Sequence, residues 1–298
     1  MSIIEKAATK LGGASEPQTA LPPVGRASES MVEAALNKQH TLATDTYAAG
    51  QADPVDTVGA SHSELGNSQF QSINLARLHR MGVVGPDAEK SQIAEEFRII
   101  KRPLIANAFG QGAARVKNGN MIMITSSLPG EGKSFCAINL AISMALEMDR
   151  TVLLIDADVA KPRVPEYLGI HADLGLLDVL QDKNLKLSDV LIKTDIAKLT
   201  ILPAGRTYKR ATELLASEAM TRLVEDIGNR YPDRIILFDS PPLLATSEAS
   251  VLATHMGQIV MVVEAERTSQ EAVREALSHV QSCEVVNMLL NKATPTPG

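Results

Sequence analysis

Tryptophan is absent from the chain, and aromatic residues make up only 3% of its 298 residues. Because 45% of the residues are nevertheless hydrophobic, the interior must be mainly aliphatic. Cysteine is also scarce. The two cysteines, Cys136 and Cys283, lie in apolar segments and lack the spacing of metal ligands. This usage argues against a disulfide framework and predicts buried free thiols in the reducing cytosol.

Neither a long apolar run nor an excess of positive charge occurs in the sequence. No stretch approaches the roughly 20 apolar residues that span a bilayer, and the N-terminus has no secretory signal. We therefore expect a cytoplasmic protein that is peripheral to the inner membrane only through a partner. The 29 Lys and Arg residues against 35 Asp and Glu give a formal net charge of −6. This balance argues against general binding of nucleic acid.

The N-terminal part of the chain differs in composition from the rest. An amphipathic pattern over residues 3–11 predicts a short docking helix, and weaker helices are indicated near residues 30–38 and 73–80. Residues 14–72 contain few large apolar side chains. That composition favours a flexible tether, because too little surface is buried to offset the entropy lost on ordering. A loose lobe packed on the main domain fits nearly as well.

From residue 87 onward, strands alternate with helices. Apolar runs predict strands at 121–126, 151–156, 199–204, 234–239, 258–264 and 285–291, and helical spacing predicts helices at 88–101, 134–148, 211–230 in two pieces, 246–254 and 268–281. Continuous apolar strands suit a parallel sheet covered on both faces. We therefore predict an N-terminal extension, 1–86, and a doubly wound, mainly parallel α/β domain, 87–298, that binds its ligand at the carboxyl ends of the strands.

A glycine-bearing loop, residues 126–134, joins the first of these strands to an apolar helix, and it reads SSLPGEGKS. A strand, a loop ending in Gly-Lys-Ser and a helix together bind a triphosphate, since glycines let several amides point at one anion. Lys133 can reach the β- and γ-phosphate oxygens, and the Ser134 hydroxyl can ligate Mg²⁺. The usual pattern opens with glycine where this chain has Ser127. A glycine turn without a ligand is the alternative.

Aspartates follow two further strands of the predicted sheet. Asp156 and Asp158 come at the end of one strand, and Asp239 ends another. Beside a bound nucleotide, one acid accepts a proton from the attacking hydroxyl or orients it, and another holds Mg²⁺ through water. A lone aspartate after a strand is more often a turn residue. Three such motifs in this order favour a single site.

With these motifs the sequence resembles the bacterial tyrosine kinases, a family of P-loop proteins, over residues 88–293. The loop at 126–134 matches the family's Walker A motif, residues 152–158 match the second Walker-like strand A′, and residues 235–239 match Walker B. The first residues of the chain and residues 239–249 are similar to the soluble autokinases found beside exopolysaccharide operons and exosortase systems.

The resemblance implies a protein-tyrosine kinase that uses ATP and Mg²⁺ and regulates exopolysaccharide biosynthesis and export. It implies nucleotide contacts by Pro129, Gly130, Glu131, Gly132, Lys133, Ser134, Phe135 and Asn291. The implied catalytic residues are Lys133, Asp156 and Asp158, with Asp156 as the base or the residue that orients the nucleophile. The implied metal-supporting residues are Ser134, Asp158 and Asp239.

The predicted first helix of the domain carries a charged motif that the family uses to dock onto a neighbouring subunit. Glu96, Arg98 and Arg102, together with Phe97 and Lys101, match this motif. The charge pattern by itself favours a solvated face, whereas the resemblance implies self-association into a ring or dimer. It also implies a membrane-embedded polysaccharide chain-length determinant, or co-polymerase, as a separate partner protein.

The chain departs from the family pattern at its C-terminus, where relatives usually carry clustered tyrosines. Its four tyrosines are Tyr47, Tyr167, Tyr208 and Tyr231. Tyr167 and Tyr208 fall in predicted loops near the site and are candidate acceptors, although packing or hydrogen bonding is the commoner role. Two other functions stay open. One is a nucleotide-switched assembly ATPase of the septum-site or partition type. Those ATPases carry a signature lysine early in the phosphate loop, and Leu128 at this position argues against that function. The other is a non-catalytic ATP-binding scaffold.

Overall fold

The computed structural model describes residues 69–86, 91–110, 116–231 and 233–294. The predicted docking helix, the weak helix near residues 30–38 and most of the predicted tether lie outside these residues. Within the described ranges, no helix combines the length and the apolar character needed to cross a membrane.

An eight-stranded sheet organises the described part of the chain. In chain order its strands are β1 (Gln69–Gln71), β2 (Met121–Ser126), β3 (Thr151–Asp156), β4 (Ile192–Thr194), β5 (Leu199–Leu202), β6 (Arg234–Asp239), β7 (Gln258–Glu264) and β8 (Val285–Asn291). Across the sheet the order is β1-β4-β5-β3-β6-β2-β7-β8, and all neighbours are parallel except β4 and β5. The predicted doubly wound, mainly parallel α/β fold is confirmed.

Helices cover both faces of this sheet. They are α1 (Leu75–Arg80), α2 (Gln92–Phe109), α3 (Lys133–Ala145), α4 (Val164–Leu168), α5 (Leu176–Gln181), α6 (Leu187–Val190), α7 (Ala211–Leu215), α8 (Glu218–Arg230), α9 (Glu248–Ala253) and α10 (Gln270–Ser278). Because side chains alternate along a strand, Ile122 and Ile124 of β2 pack in one apolar layer with α2 and α3, and Met123 packs in the other. A central strand buried on both faces explains its uninterrupted apolar sequence.

Residues 69–86 belong to the same domain as the rest of the described chain. Strand β1 pairs with β4, and Leu78, Val83 and Val84 are buried in the core. The backbone N–H of Val84 also donates to Oδ1 of Asn139 in α3, at 2.8 Å. The predicted boundary after residue 86 therefore does not separate these residues from the domain. Residues 1–68, the rest of the predicted extension, lie outside the described ranges.

Both cysteines are free and buried, as the sequence predicts. Burial and the nearby Asp239 carboxylate raise the pKa of the Cys136 thiol to about 12. Because the thiolate is the reactive form, this thiol is inert at neutral pH. Cys136 therefore acts as a small apolar side chain of the core.

Candidate functional site

The loop of residues 126–134 lies at the carboxyl edge of the sheet, between β2 and α3. Gly130 and Gly132 have φ of +91° and +99°, in the left-handed region that glycine adopts at little cost. Ser127 does not have a positive φ, so the loop does not require glycine there. Helix α3 begins at Lys133, and no side chain caps it. Its first amides therefore point at the space where an anion would bind.

The tip of this loop is held from behind by the loop after β7 and the end of β8. The Glu131 side chain is only 2% exposed; it accepts hydrogen bonds from the Leu128 N–H at 2.6 Å and from the Thr268 hydroxyl. The Asn291 side chain donates to the Glu131 carbonyl at 2.8 Å. The Asn291 side chain and the Glu131 carboxylate thus lie on the protein side of the loop, and neither residue lines the cleft. The nucleotide contacts expected of Asn291 and of the Glu131 backbone stay predictions.

Replacing Gly132 by alanine should reduce nucleotide affinity at least about tenfold. A Cβ at this position would lie 2.1 Å from Nδ2 of Asn291 and would occupy a left-handed backbone. Gly130→Ala is the matched control, because its φ is equally left-handed while nothing lies within 4 Å of its Cβ. Titration calorimetry with MgATP measures both variants. Equal affinities for the two would show that the contact between the loop and Asn291 is unimportant.

A cleft of about 380 Å³ opens beside the loop. Its lining consists of Pro129, Gly130, Gly132, Lys133, Ser134, Phe135, Asp158, Ala160, Lys161, Arg163, Tyr167, Pro241, Pro242, Ala245 and Thr246. Most of the predicted nucleotide-contact residues are therefore brought together. A larger cavity of about 480 Å³, which includes Phe109, Asn118 and Asn229, lies near the start of β2 and contains none of the predicted site residues.

The three predicted acids converge next to this cleft. Asp156 and Asp239 are register partners on β3 and β6, and both are fully buried. Oδ2 of Asp156 accepts from the Val164 N–H at 3.0 Å. Within the described residues, Oδ1 of Asp156 and both carboxylate oxygens of Asp239 have no hydrogen-bond partner of ordinary geometry. Three buried acceptor atoms are left over for a ligand.

Burial and the charges of neighbouring acids raise the pKa values of these two carboxyl groups. Burial raises the pKa of Asp239 to about 6, although the Lys133 ammonium and the Ser134 hydroxyl oppose the rise. Burial, followed by the charge of Asp239, raises the pKa of Asp156 well above its ordinary value. Two buried carboxylates at one site favour a shared proton or a cation between them.

An ion pair spans the cleft from the glycine loop to the loop after β3. The Lys133 ammonium contacts Oδ2 of Asp158, and their side chains are only 11% and 6% exposed. Oδ1 of Asp158 accepts from the Lys161 N–H at 3.2 Å. Lys133 is therefore held beside the acids, at the place where the phosphates of a nucleotide would meet them.

The donor set of this site fits Mg²⁺. In the described part of the chain, no group of three or more His, Cys, Asp and Glu side chains could hold a metal ion. The oxygens of Ser134, Asp158 and Asp239 are the hard ligands that Mg²⁺ prefers, and Mg²⁺ usually keeps waters and phosphates as its remaining ligands. The buried, unpartnered oxygens of Asp239 are consistent with that arrangement.

The predicted oligomer motif lies on α2. Glu96 and Arg102 are exposed, and Arg98 is half-buried. Lys101, which the sequence placed with them, is instead buried and donates to the Ser143 carbonyl of α3 at 2.6 Å. The long aliphatic stem of Lys101 packs in the core while its ammonium donates a hydrogen bond to a carbonyl of α3. Lys101 therefore joins two helices and is not a surface residue.

Three of the four tyrosines have identifiable contacts. Tyr167 lines the cleft. The Tyr208 hydroxyl donates to Oδ1 of Asp178 at 2.9 Å, and the Tyr231 ring lies 3.9 Å below the Arg234 guanidinium. Tyr208 therefore has the hydrogen-bonding role that the sequence analysis describes as the commoner one.

The fold and the site together define a P-loop nucleoside-triphosphate-binding protein. A phosphate loop with its lysine, and acids from two neighbouring strands, meet at the carboxyl edge of a parallel sheet. Residues 119–292 match a protein family described as an AAA domain.

Comparison with known proteins identifies the family within this class. The chain is 31% identical to the tyrosine-protein kinase YwqD of Bacillus subtilis over 208 residues, which cover 70% of this chain and 83% of YwqD. It is 33% identical over 218 residues to the succinoglycan biosynthesis transport protein ExoP of Rhizobium meliloti, covering 72% of this chain and 26% of ExoP. A crystal structure of the chimerical protein CapA2B2 aligns with a TM-score of 0.59 and 27% identity, over 76% of this chain and 96% of that one.

The chain belongs to the bacterial tyrosine-kinase family of P-loop proteins. It spans only 23% to 26% of the length of several longer relatives, including ExoP and the tyrosine-protein kinase Wzc of Salmonella typhimurium.

Proposed function

We propose that this protein is an ATP-dependent protein-tyrosine kinase that uses Mg²⁺. The observation that carries the proposal is the ion pair of Lys133 with Asp158 across the cleft, next to the buried acids Asp156 and Asp239. Phosphoryl transfer needs positioning and charge neutralisation more than covalent chemistry from the protein. These four residues provide a cation for the phosphates and acids for metal and proton.

The phosphate loop binds the triphosphate in this proposal. Backbone amides from Gly130 to Ser134 donate to the β- and γ-phosphates, and the N-terminus of α3 adds a partial positive charge. The Lys133 ammonium exchanges its contact with Asp158 for one with the phosphate oxygens. Pro129 and Phe135 line the same cleft and give the nucleotide apolar contacts.

Ser134, Asp158 and Asp239 would hold Mg²⁺ through the hydroxyl of Ser134 and the carboxylates of the two acids. A bound Mg²⁺ would supply positive charge that offsets the negative charge of the transferred phosphoryl group. The two buried carboxylate oxygens of Asp239, which have no hydrogen bond of ordinary geometry to any described residue, support this assignment. Ionised Asp239 is then favoured, since a bound cation opposes the burial that raises its pKa.

Asp156 receives the proton of the acceptor tyrosine. Its Oδ2 is occupied by the Val164 N–H, which leaves Oδ1 for the hydroxyl. The phenolic oxygen attacks the γ-phosphorus, the bond from that phosphorus to the bridging β–γ oxygen breaks, and ADP leaves. A raised pKa makes the ionised carboxylate a better proton acceptor.

The names of the relatives support a role in polysaccharide production. YwqD is a tyrosine-protein kinase, and ExoP is a succinoglycan biosynthesis transport protein. We therefore assign this kinase to regulation of exopolysaccharide biosynthesis and export, with a membrane-embedded co-polymerase as its partner, at the cytoplasmic face of the inner membrane. Self-association through Glu96, Arg98 and Arg102 on α2 is part of the same proposal.

Incubation of the purified chain with γ-labelled ATP and Mg²⁺ tests the kinase assignment. We expect label on tyrosine, and its loss in Lys133→Met because the ammonium that holds the phosphates is removed. Lys183→Met, a change at an exposed lysine outside the cleft, should label as the wild type does. Release of phosphate without protein label would instead indicate an assembly ATPase, and binding with neither would indicate a scaffold.

A further inference from the structure

Two cations at the rim of the cleft have no function in the mechanism described above. Lys161 and Arg163 follow Asp158 in the loop between β3 and α4, and both line the cleft. The Arg163 side chain is 54% exposed and lies 3.5 Å from the equally exposed Glu166, a pair of little strength. The exposed Lys161 ammonium has no ion-pair partner among residues that the structure describes. Two positive charges are thus available to a ligand.

The two cations belong to the loop after β3, across the Lys133–Asp158 ion pair from the phosphate loop. The Asp158 carboxylate is contacted by the Lys133 ammonium on Oδ2 and by the Lys161 amide on Oδ1. Asp158 therefore lies between the Lys133 ammonium and the backbone of Lys161. The amides of the phosphate loop and the Lys133 ammonium bind the nucleotide. The second substrate, the acceptor tyrosine, must pass Lys161 and Arg163 to reach the γ-phosphate.

An apolar surface lines the same cleft. Pro241 and Pro242, at the end of β6, are joined by Ala245 and by the ring of Tyr167. Apolar and aromatic side chains favour the packing of an aromatic ring. The cleft therefore offers a surface for a phenolic ring and two cations for the residues beside it.

We propose that Lys161 and Arg163 bind acidic residues that flank the acceptor tyrosine, so that the substrate class is a tyrosine in an acidic segment. The inference rests on the proposed kinase function and deepens it. The chain provides a natural probe, because Tyr47 stands between Asp45 and Asp53 in the sequence, whereas Tyr208 and Tyr231 have partners within the domain.

The test uses the full-length protein and a synthetic peptide of residues 40–54, with the rate measured against peptide and ATP concentrations separately. A second peptide carries Asp45→Asn and Asp53→Asn. We expect the KM for the acidic peptide to be roughly five- to tenfold lower than for the neutral one, as for two exposed ion pairs. The double variant Lys161→Gln/Arg163→Gln should lose this preference and keep its KM for ATP within about twofold.

Lys183→Gln/Arg222→Gln is the matched control, because it removes the same charge from exposed positions outside the cleft. It should keep the preference for the acidic peptide. Equal KM values for both peptides with the wild type would overturn the inference and leave the kinase assignment intact. A rise in the KM for ATP in the rim variant would also overturn it, since the cations would then bind nucleotide. No transfer to either peptide or to a random Glu-Tyr polymer would instead contradict the proposed kinase function.

Discussion

Asp156→Asn should lower the rate of phosphoryl transfer at least about 100-fold while MgATP affinity changes only a few-fold. An amide cannot accept the proton of the acceptor hydroxyl, and general-base catalysis contributes a factor of this size. The Asp156 carboxylate accepts a hydrogen bond from the Val164 N–H, outside the phosphate loop, so binding is largely spared. Single-turnover transfer from labelled ATP and titration calorimetry separate the two effects.

Asp173→Asn provides the comparison, because this carboxylate is 84% exposed and pairs only with an exposed histidine. It should transfer phosphate at the wild-type rate. Wild-type turnover in Asp156→Asn would remove this residue from the mechanism. A loss of ATP binding equal to the loss of rate would give it a binding role instead.

Asp239→Asn should make the protein more stable in nucleotide-free buffer at pH 7.5 and weaken MgATP binding at least about tenfold. Asp239 has a pKa of about 6, against an ordinary 3.8, so ionising it in the fold opposes stability by up to roughly 3 kcal/mol. The introduced amide can donate to the free Oδ1 of Asp156, which limits the cost of burying it. Binding weakens because the metal loses a supporting acid.

The stability difference between Asp239→Asn and the wild type should depend on pH. An acid whose pKa is raised in the folded state binds more protons there than in the unfolded chain, so stability falls as pH rises between the two values. For Asp239 that interval runs from pH 3.8 to about 6. Urea unfolding at pH 5 and pH 7.5 should therefore show a larger gain for the variant at the higher pH. An Asp239→Asn variant less stable than the wild type at both values would refute this account.

The long elements of the fold could be predicted from the sequence because each carries a strong pattern. Strands β2, β3, β6, β7 and β8 begin and end where their apolar runs do. Strand β5 stops at Leu202, two residues before the predicted end, since Pro203 has no N–H to continue the ladder. The acids and the glycine loop were predictable as one site because parallel strands bring their carboxyl ends to one edge.

Several short elements could not be predicted, because three to six residues are too few to show a clear periodic pattern. Helices α4, α5 and α6 and strand β4 are of this kind. Helix α2 runs past its predicted end near residue 101 and includes Pro103. Leu104 and Ala108 continue its buried face, and packing outweighs the hydrogen bond that proline removes.

The roles of side chains that depend on tertiary contacts could not be predicted from the sequence. The sequence predicts Lys101 as part of a charged surface, yet its side chain is buried against α3. The contact of the Asn291 side chain with the Glu131 carbonyl also has no counterpart in the sequence pattern. Thr268 gave no signal, because its partner Glu131 is 137 residues away. The spacing of residues does not reveal such contacts.

The most direct test of the central claim is titration of the wild-type protein with MgATP by calorimetry, combined with its melting temperature at saturating MgATP. A nucleotide held by the phosphate loop, Lys133 and the three acids should bind at one site per chain, with a dissociation constant below about 1 mM. The melting temperature should rise, because the ligand binds only the folded state. No heat of binding and an unchanged melting temperature would contradict the account.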